Sequence, residues 1–305
     1  MLKTQSFGPN LLGPQEKKAL LKAFPEGLIA LDLETTGLSP LLDHIIELAA
    51  VKIDAHGQFH LFETLVNPKV PIPPQVTAIH HITDEMVGKA KTLEEVFDDF
   101  LAFTGDLPLL AHNAPFDLGF LMFFSHRQKR YFPGNDIYCS YRLARKGLKN
   151  LESHSLAFLA KHLGLPPFAH HRALGDASAC LKIFAECLVK TPGLCVKTHG
   201  LLFSTSRYKS LRNLELPPCL RPFLGEIASQ TPFLISYKGG TLKMPERPIK
   251  PSALLPLPQG PFLHGLCLIS RQHKSFSLKK IEAVRAVGEE ELERLIAKGR
   301  ELIKK

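Results

Sequence analysis

Ten residues, Leu28 to Gly37 (LIALDLETTG), limit what this chain can fold into more than any other stretch. Side chains alternate across a strand, so Ile29, Leu31 and Leu33 point one way while Leu28, Ala30, Asp32 and Glu34 point the other. A strand this apolar belongs inside a sheet, where an unpaired carboxylate is costly or takes up a proton. Asp32 and Glu34 share a face and have no Lys or Arg close by in sequence, so a positive partner must come from elsewhere. Oxygen-only ligation suits Mg²⁺ or Mn²⁺. Thr35, Thr36 and Gly37 then break the strand and offer backbone and hydroxyl groups to a phosphate or sugar. Taken alone, the Asp-x-Glu pair also fits a solvated strand end.

Further along, residues 15–24 read as a short helix stopped by Pro25, with no chemistry assigned to residues 1–26. IIELAAVKID (45–54) and QFHLFETLV (58–66) read as an antiparallel pair beside the first strand, and the prolines in 67–75 imply an irregular loop. Leu93, Val96, Phe97, Phe100 and Leu101 have helical spacing. LPLLA (107–111) is a short buried strand leading into HNAPFDLGFLMFF, where Pro115 suits a first helical turn and Asp117 shares a stripe with Phe120, Leu121 and Phe124. A helix-dipole contact would also account for Asp117. After a strand around 136–139 and a helix over 141–146, SHSLAFLAKHLGLP reads as a capped helix ended by Gly164 and Pro166. In the next helix Cys180, Ile183, Phe184 and Cys187 mark the core face and place Asp176 in the first turn. On one continuous helix His171 would lie about 140° away from Asp176, so it reaches the same site only from the helix's start or the loop before it.

The C-terminal third differs in charge. Of the 38 Lys and Arg residues, half lie beyond residue 190 with only nine of the 29 acidic ones, so residues 191–305 carry net +10 and residues 1–190 net −1. A basic module beside a neutral one suggests a polyanion partner, although ordinary solubility charge would produce the same imbalance. The N-terminus lacks the apolar core of a secretory signal, and no apolar run is long enough to span a membrane, which points to the cytoplasm. Six cysteines without CxxC spacing fit reduced thiols.

Asp32, Glu34, Asp117, Asp176 and His171 fall at strand ends and helix starts, and such a set can hold two divalent ions about 4 Å apart for phosphodiester cleavage. The segments DLETTG, IHHIT, HNAPFD and HRALGDA resemble, in order, the motifs of the DEDDh 3′-to-5′ exonucleases, the superfamily of the proofreading epsilon subunit of bacterial DNA polymerase III. The resemblance covers residues 28–188. It implies a ribonuclease-H-like α/β fold, a mixed sheet of about five strands flanked by helices. It also implies two bound ions, Mg²⁺ or Mn²⁺. Asp32 would bridge both; Glu34 and Asp176 would complete the first and Asp117 the second. His171 would be the general base, with His170 one residue too far from Asp176. Thr35, Thr36, Gly37, His80 and Asn113 would contact substrate. One departure is His81, where the family motif carries glycine.

Residues 233–281 resemble the WYL domain, a small SH3-like β-barrel, in ISY (235–237), Arg247–Pro251, FLHGLC (262–267) and KSFSLKKI (274–281). This places nucleic-acid contacts on Arg247, Lys274 and Lys280; Lys274 and Lys280 stand where that family has arginines and cannot form the planar guanidinium fork. The expected organisation is a lead-in (1–26), an exonuclease domain (27–190), a connector (191–228) that includes Lys209 and Arg212, a WYL-like β-domain (229–288) and a terminal helix (289–305). The leading expectation is a metal-dependent 3′-to-5′ exonuclease on single-stranded DNA or RNA 3′ ends, DNA favoured. Its basic module would bind nucleic acid or a nucleotide-like ligand. The rival is a binding or regulatory protein with a degenerate nuclease domain, which the complete catalytic set and the lack of a convincing helix-turn-helix disfavour. No polymerase- or clamp-binding peptide is evident, and nothing selects DNA over RNA through a 2′-OH contact.

Overall fold

The structure, a computed structural model, describes residues 11–165, 170–208, 216–239, 244–257 and 260–304. The chain divides into two compact units. The first comprises the described residues of Met1–Thr36, His44–Leu121 and Tyr131–Arg207; the second comprises Gly37–Asp43, Met122–Arg130 and the described residues of Tyr208–Lys305.

In chain order, the elements up to Arg207 are α1 (Pro14–Ala23), β1 (Gly27–Thr35), β2 (Ile45–Asp54), β3 (Phe59–Leu65), α2 (Pro74–His80), α3 (Asp84–Gly88) and α4 (Leu93–Thr104). They continue with β4 (Leu109–Ala111), α5 (Pro115–Arg127), β5 (Asp136–Cys139), α6 (Ser140–Gly147), α7 (Leu156–His162), α8 (Ala173–Lys190), α9 (Val196–His199) and β6 (Leu201–Ser204). The strands form one mixed sheet in the order β3-β2-β1-β4-β5-β6. β1 pairs antiparallel with β2 and parallel with β4, so the carboxylate-bearing strand lies inside the sheet. Leu28 and Ala30 share the face of Asp32 and Glu34, and join Ala49, Val51 and Ile53 of β2 in a core with Ala177, Cys180, Leu181 and Phe184 of α8. The helix carrying Asp176 therefore packs on the face that carries Asp32.

Two features of this unit were not legible as periodicity. β6 is a sixth strand inside the stretch read as connector 191–228; with four residues following Gly200, it is too short to show alternation. The lead-in helix α1 is part of the unit's core: Leu20 and Phe24 are buried there, with Phe24 edge-on to Tyr138 at 4.8 Å between centroids. Glu16, itself buried, pairs with Lys182 of α8 at 2.5 Å. The cap of α7 is Ser155, whose hydroxyl accepts from Phe158 N–H at 3.3 Å, and Pro166, read as that helix's stop, lies outside the described residues.

Within the second unit, α10 (Leu224–Ala228), β7 (Phe233–Tyr237), β8 (Arg247–Leu257), β9 (Gly260–Cys267), β10 (Gln272–Ser277), β11 (Ile281–Arg285) and α11 (Glu289–Lys304) follow one another. The five strands run in the order β10-β9-β8-β7-β11, with every described pairing antiparallel. β10 and β11 stand at opposite edges, so the sheet is open and the closed SH3-like barrel expected from the sequence is not formed among the described residues. Closure requires the edge strands to pair with matched stagger, and here each edge strand pairs on one side only. Leu220, Ile227, Phe233, Ile235, Ile249, Leu254, Leu263 and Phe276 form the core of this unit, and Leu41 and Leu42 pack against it. Among the described residues no helix is long and apolar enough to cross a membrane.

Candidate active site

Asp32 and Glu34 stand on one face of β1, Asp117 in the first turn of α5 and Asp176 in the first turn of α8. The backbone N–H of Leu33 donates to the Asp117 carboxylate, which ties the start of α5 to the C-terminal part of β1. Asp117 and Asp176 are buried, at 2% and 7% exposure, although burying an unpaired carboxylate is unfavourable.

The electrostatics reflect this crowding. Burial, followed by the neighbouring Asp117, Asp176, Glu34 and Glu47, holds the Asp32 carboxyl well above the usual range. Burial, then Asp176, Glu47 and Asp117, pushes Glu34 up to about 8, and burial pushes Asp117 up to about 8 against the stabilising backbone N–H groups. Asp176 rises to about 6, chiefly by burial, offset by the His171 N–H. Asp117, Asp176 and Glu34 raise Asp32, Asp176 and Asp117 raise Glu34, and Asp176 raises Asp117, as expected of carboxylates converging on one small volume.

His171 precedes the N-cap of α8. Its backbone is left-handed, with φ of 59°, and its N–H donates to Asp176 Oδ2 at 3.0 Å. A ring nitrogen of His171 and carboxylate oxygens of Glu34 and Asp176 all lie within 4.8 Å of one another. Nδ1 of His170 lies 3.6 Å from Asp176 Oδ1, beyond hydrogen-bond length. Buried Asp176 Oδ1 has no hydrogen-bond partner among the described residues. Carboxylate oxygens with raised proton affinity and a buried oxygen that makes no hydrogen bond together fit a hard divalent cation.

The other candidate contacts are placed as follows. Thr35 and Thr36 are buried, and Thr36 Oγ1 accepts from His44 N–H at 2.9 Å, pinning the turn after β1. Gly37 belongs to the second unit, where a Cβ would fall 2.5 Å from the Asp43 carboxylate, so a larger residue there would have to displace that side chain. His80 ends α2, is 2% exposed, and its Nδ1 accepts from Ile82 N–H at 3.0 Å; Nε2 therefore carries the proton in the neutral ring. Burial holds its proton affinity below the ordinary histidine value. His81 forms the left-handed C-cap of α2 with φ of 59°, the conformation that explains a glycine in the related motif. Asn113 is exposed and also left-handed, with φ of 66°, at the entrance to α5.

In the second unit, Arg247 is 5% exposed; its guanidinium lies over the Tyr237 ring at 5.7 Å and donates to Gly239 O, so it is spent inside the fold. Lys274 is half-buried and Lys280 exposed. Lys209 and Arg212 lie outside the described residues.

Three residues at or near the site were missed from sequence. Glu47 faces Glu34 across the β1–β2 pair, and is completely buried. Arg172 pairs with it from the start of α8 at 2.6 Å. His112 is held by Ser140 Oγ at 2.8 Å and the His154 carbonyl at 3.0 Å, and burial pushes it down to about 4, so it serves as a neutral anchor for the loop before α5. Only the invariably charged Arg beside two histidines in HHR signalled any of this; its partner is 125 residues away.

The sequence matches the RNase T exonuclease family over residues 29–184, just over half of the chain, and belongs to that family. Among individual relatives, the PolC-type DNA polymerase III of Clostridium perfringens is 39% identical over 166 residues, covering 53% of this chain and 11% of the polymerase. That of Thermotoga maritima is 38% identical over 156 residues, covering 51% and 11%. The chain thus spans only a small part of the length of these relatives. Exonuclease X, solved in complex with 5′ overhanging duplex DNA, is 30% identical, with a TM-score of 0.43 over 52% of this chain and 90% of that one. The nuclease domain of 3′hExo, described as a DEDDh family member bound to rAMP, is 17% identical with a TM-score of 0.47 over 54% and 92%. The exonuclease-family region is thus built on a mixed sheet flanked by helices.

Proposed function

We propose that this protein is a divalent-metal-dependent 3′-to-5′ exonuclease of the DEDDh type, acting on single-stranded ends with DNA favoured over RNA. The observation that carries the reading is the convergence of Asp32, Glu34, Asp117 and Asp176, all with raised proton affinity, with the His171 ring beside Glu34 and Asp176. Asp32, Glu34 and Asp176 would hold one cation, and Asp117 with Asp32 a second. When bound, such ions supply an activated water and neutralise charge on the scissile phosphate.

The protein's own part is positional. The β1 strand and the two helix starts present the carboxylates from three rigid elements, which preorganises the site. His171, on the exposed side of Asp176, takes the proton of the attacking water. The second unit carries the excess positive charge of the chain, which supports a nucleic-acid or nucleotide-like ligand there, with Lys274 and Lys280 as backbone contacts. The WYL-like reading of this unit rests on its sequence segments alone.

The test is to incubate the protein with 5′-labelled single-stranded DNA and RNA in Mg²⁺, Mn²⁺ or EDTA and to resolve the products. A ladder shortening from the 3′ end only with metal is expected. Cleavage that survives EDTA refutes the metal assignment, and internal cuts refute the exonuclease one.

A further inference from the structure

We infer that Glu47 and Arg172 are positioning residues for His171 and Asp176, acting as a tertiary cap on helix α8. The inference rests on the exonuclease reading for its catalytic meaning, but its structural content stands separately.

Glu47 is fully buried in β2, and a carboxylate tolerates that position only when its oxygens are satisfied. Both are. Oε1 accepts from Arg172 Nη2 at 2.6 Å and Nε at 3.0 Å; Oε2 accepts from Nε at 3.2 Å and from the backbone N–H of Ala173 at 2.8 Å. Ala173 is the first residue of α8 and Arg172 its N-cap. Ser, Thr, Asp and Asn suit that position because their side chains accept from the first turn, whereas arginine has only donors. Arg172 makes no such cap bond. Glu47, 126 residues away on the sheet, takes over the task.

The consequence falls on the residue just before. His171 is in the left-handed region and reaches back to Asp176 through its N–H. Its backbone is therefore held from both sides, by Asp176 in the first turn and by the Glu47 clamp on the next two residues. A planar guanidinium fork fixes rotation as well as distance, which one ammonium contact cannot. His170 and His171 are adjacent and both rings lie near Asp176, so the set of this segment decides which of them also reaches Glu34. We assign to Glu47 the selection of His171.

The experiment uses full-length wild type, Glu47→Gln and Arg172→Lys. Glu47→Gln keeps an acceptor for Ala173 but loses the charged fork; Arg172→Lys keeps the charge and the Ala173 contact, and guards against misfolding of the first variant. In metal-free protein, exchange protection of the His171 amide should fall about tenfold or more in both, because the Asp176 bond opens more often. On a short oligonucleotide, kcat should fall about 10- to 100-fold in Glu47→Gln with KM changed less than about twofold, the pattern for a misplaced catalytic group. Arg172→Lys should show a fall of the same kind, because an ammonium cannot replace the fork. Unchanged His171 protection in both variants, or kcat within about twofold of wild type, overturns the assignment. A wild type that cuts nothing while His171 protection collapses in Glu47→Gln would sink the exonuclease reading and leave the positioning role standing.

Discussion

Metal-free, the carboxylate cluster should make the protein less stable as pH rises from 5 to 8. Glu34 and Asp117 both titrate at about 8, far above the ordinary 4.5 and 3.8. Between the unfolded and folded values the native state holds more protons than the unfolded chain, so unfolding releases protons and stability falls with increasing pH. Counting one proton shared between these interacting groups, the loss is about 1.4 kcal/mol per pH unit, or about 4 kcal/mol over this window. Glu34 is partly exposed, and solvent screening reduces the expected loss to about 2–4 kcal/mol. For a domain of this size, that is a fall in Tm of roughly 5–15 °C. The assay is thermal unfolding in EDTA at each pH, repeated with saturating Mn²⁺. Cation binding should reverse the trend by displacing the retained protons, which calorimetry in buffers of different ionisation enthalpy would count. Asp32→Asn should flatten the metal-free slope. A metal-free Tm that is level or rises from pH 5 to 8 in wild type relative to Asp32→Asn, or Mn²⁺ binding without proton release, would refute the reasoning.

Other outcomes follow from the same geometry. Asp32→Ala should abolish hydrolysis while the metal-free protein is as stable as wild type or more so, measured by urea unfolding; unfolding would mark the carboxylate as structural. His171→Ala should cost on the order of 10²–10⁴ in kcat with Mn²⁺ affinity nearly kept. A loss of that size in His170→Ala instead would transfer the role. Reversing charge at Lys274 and Lys280 together should flatten the log-log salt dependence of long single-strand binding by about 1.4, at about 0.7 per phosphate contact, without altering cleavage of very short substrates. An unchanged slope would remove the second unit as a nucleic-acid clamp and favour a ligand-sensing or docking role. Arg247 is left out of that test because its guanidinium is already engaged within the fold.

Much of the first unit could be read from residue order, since its decisive signals are local. Alternation along LIALDLETTG places Asp32 and Glu34 on one face, and in the structure that face is the one α8 covers. First-turn positions for Asp117 and Asp176 follow from Pro115 and from the core stripe of α8 in the same way. The second unit was less legible: its strands are visible as short apolar runs, but whether a sheet closes depends on which edges pair, and these edges do not. Short β6 and the packing of α1 were hidden because four residues show no period and a buried helix face says nothing of what covers it. Asp32 and Glu34 lacked a positive neighbour in sequence, and folding brings Arg172 close enough to act on Glu34 while committing it to Glu47. Local chemistry determines which residues carry charge and which face they take; only the tertiary structure decides which charges meet, because a salt bridge between residues 47 and 172 leaves no period in the chain.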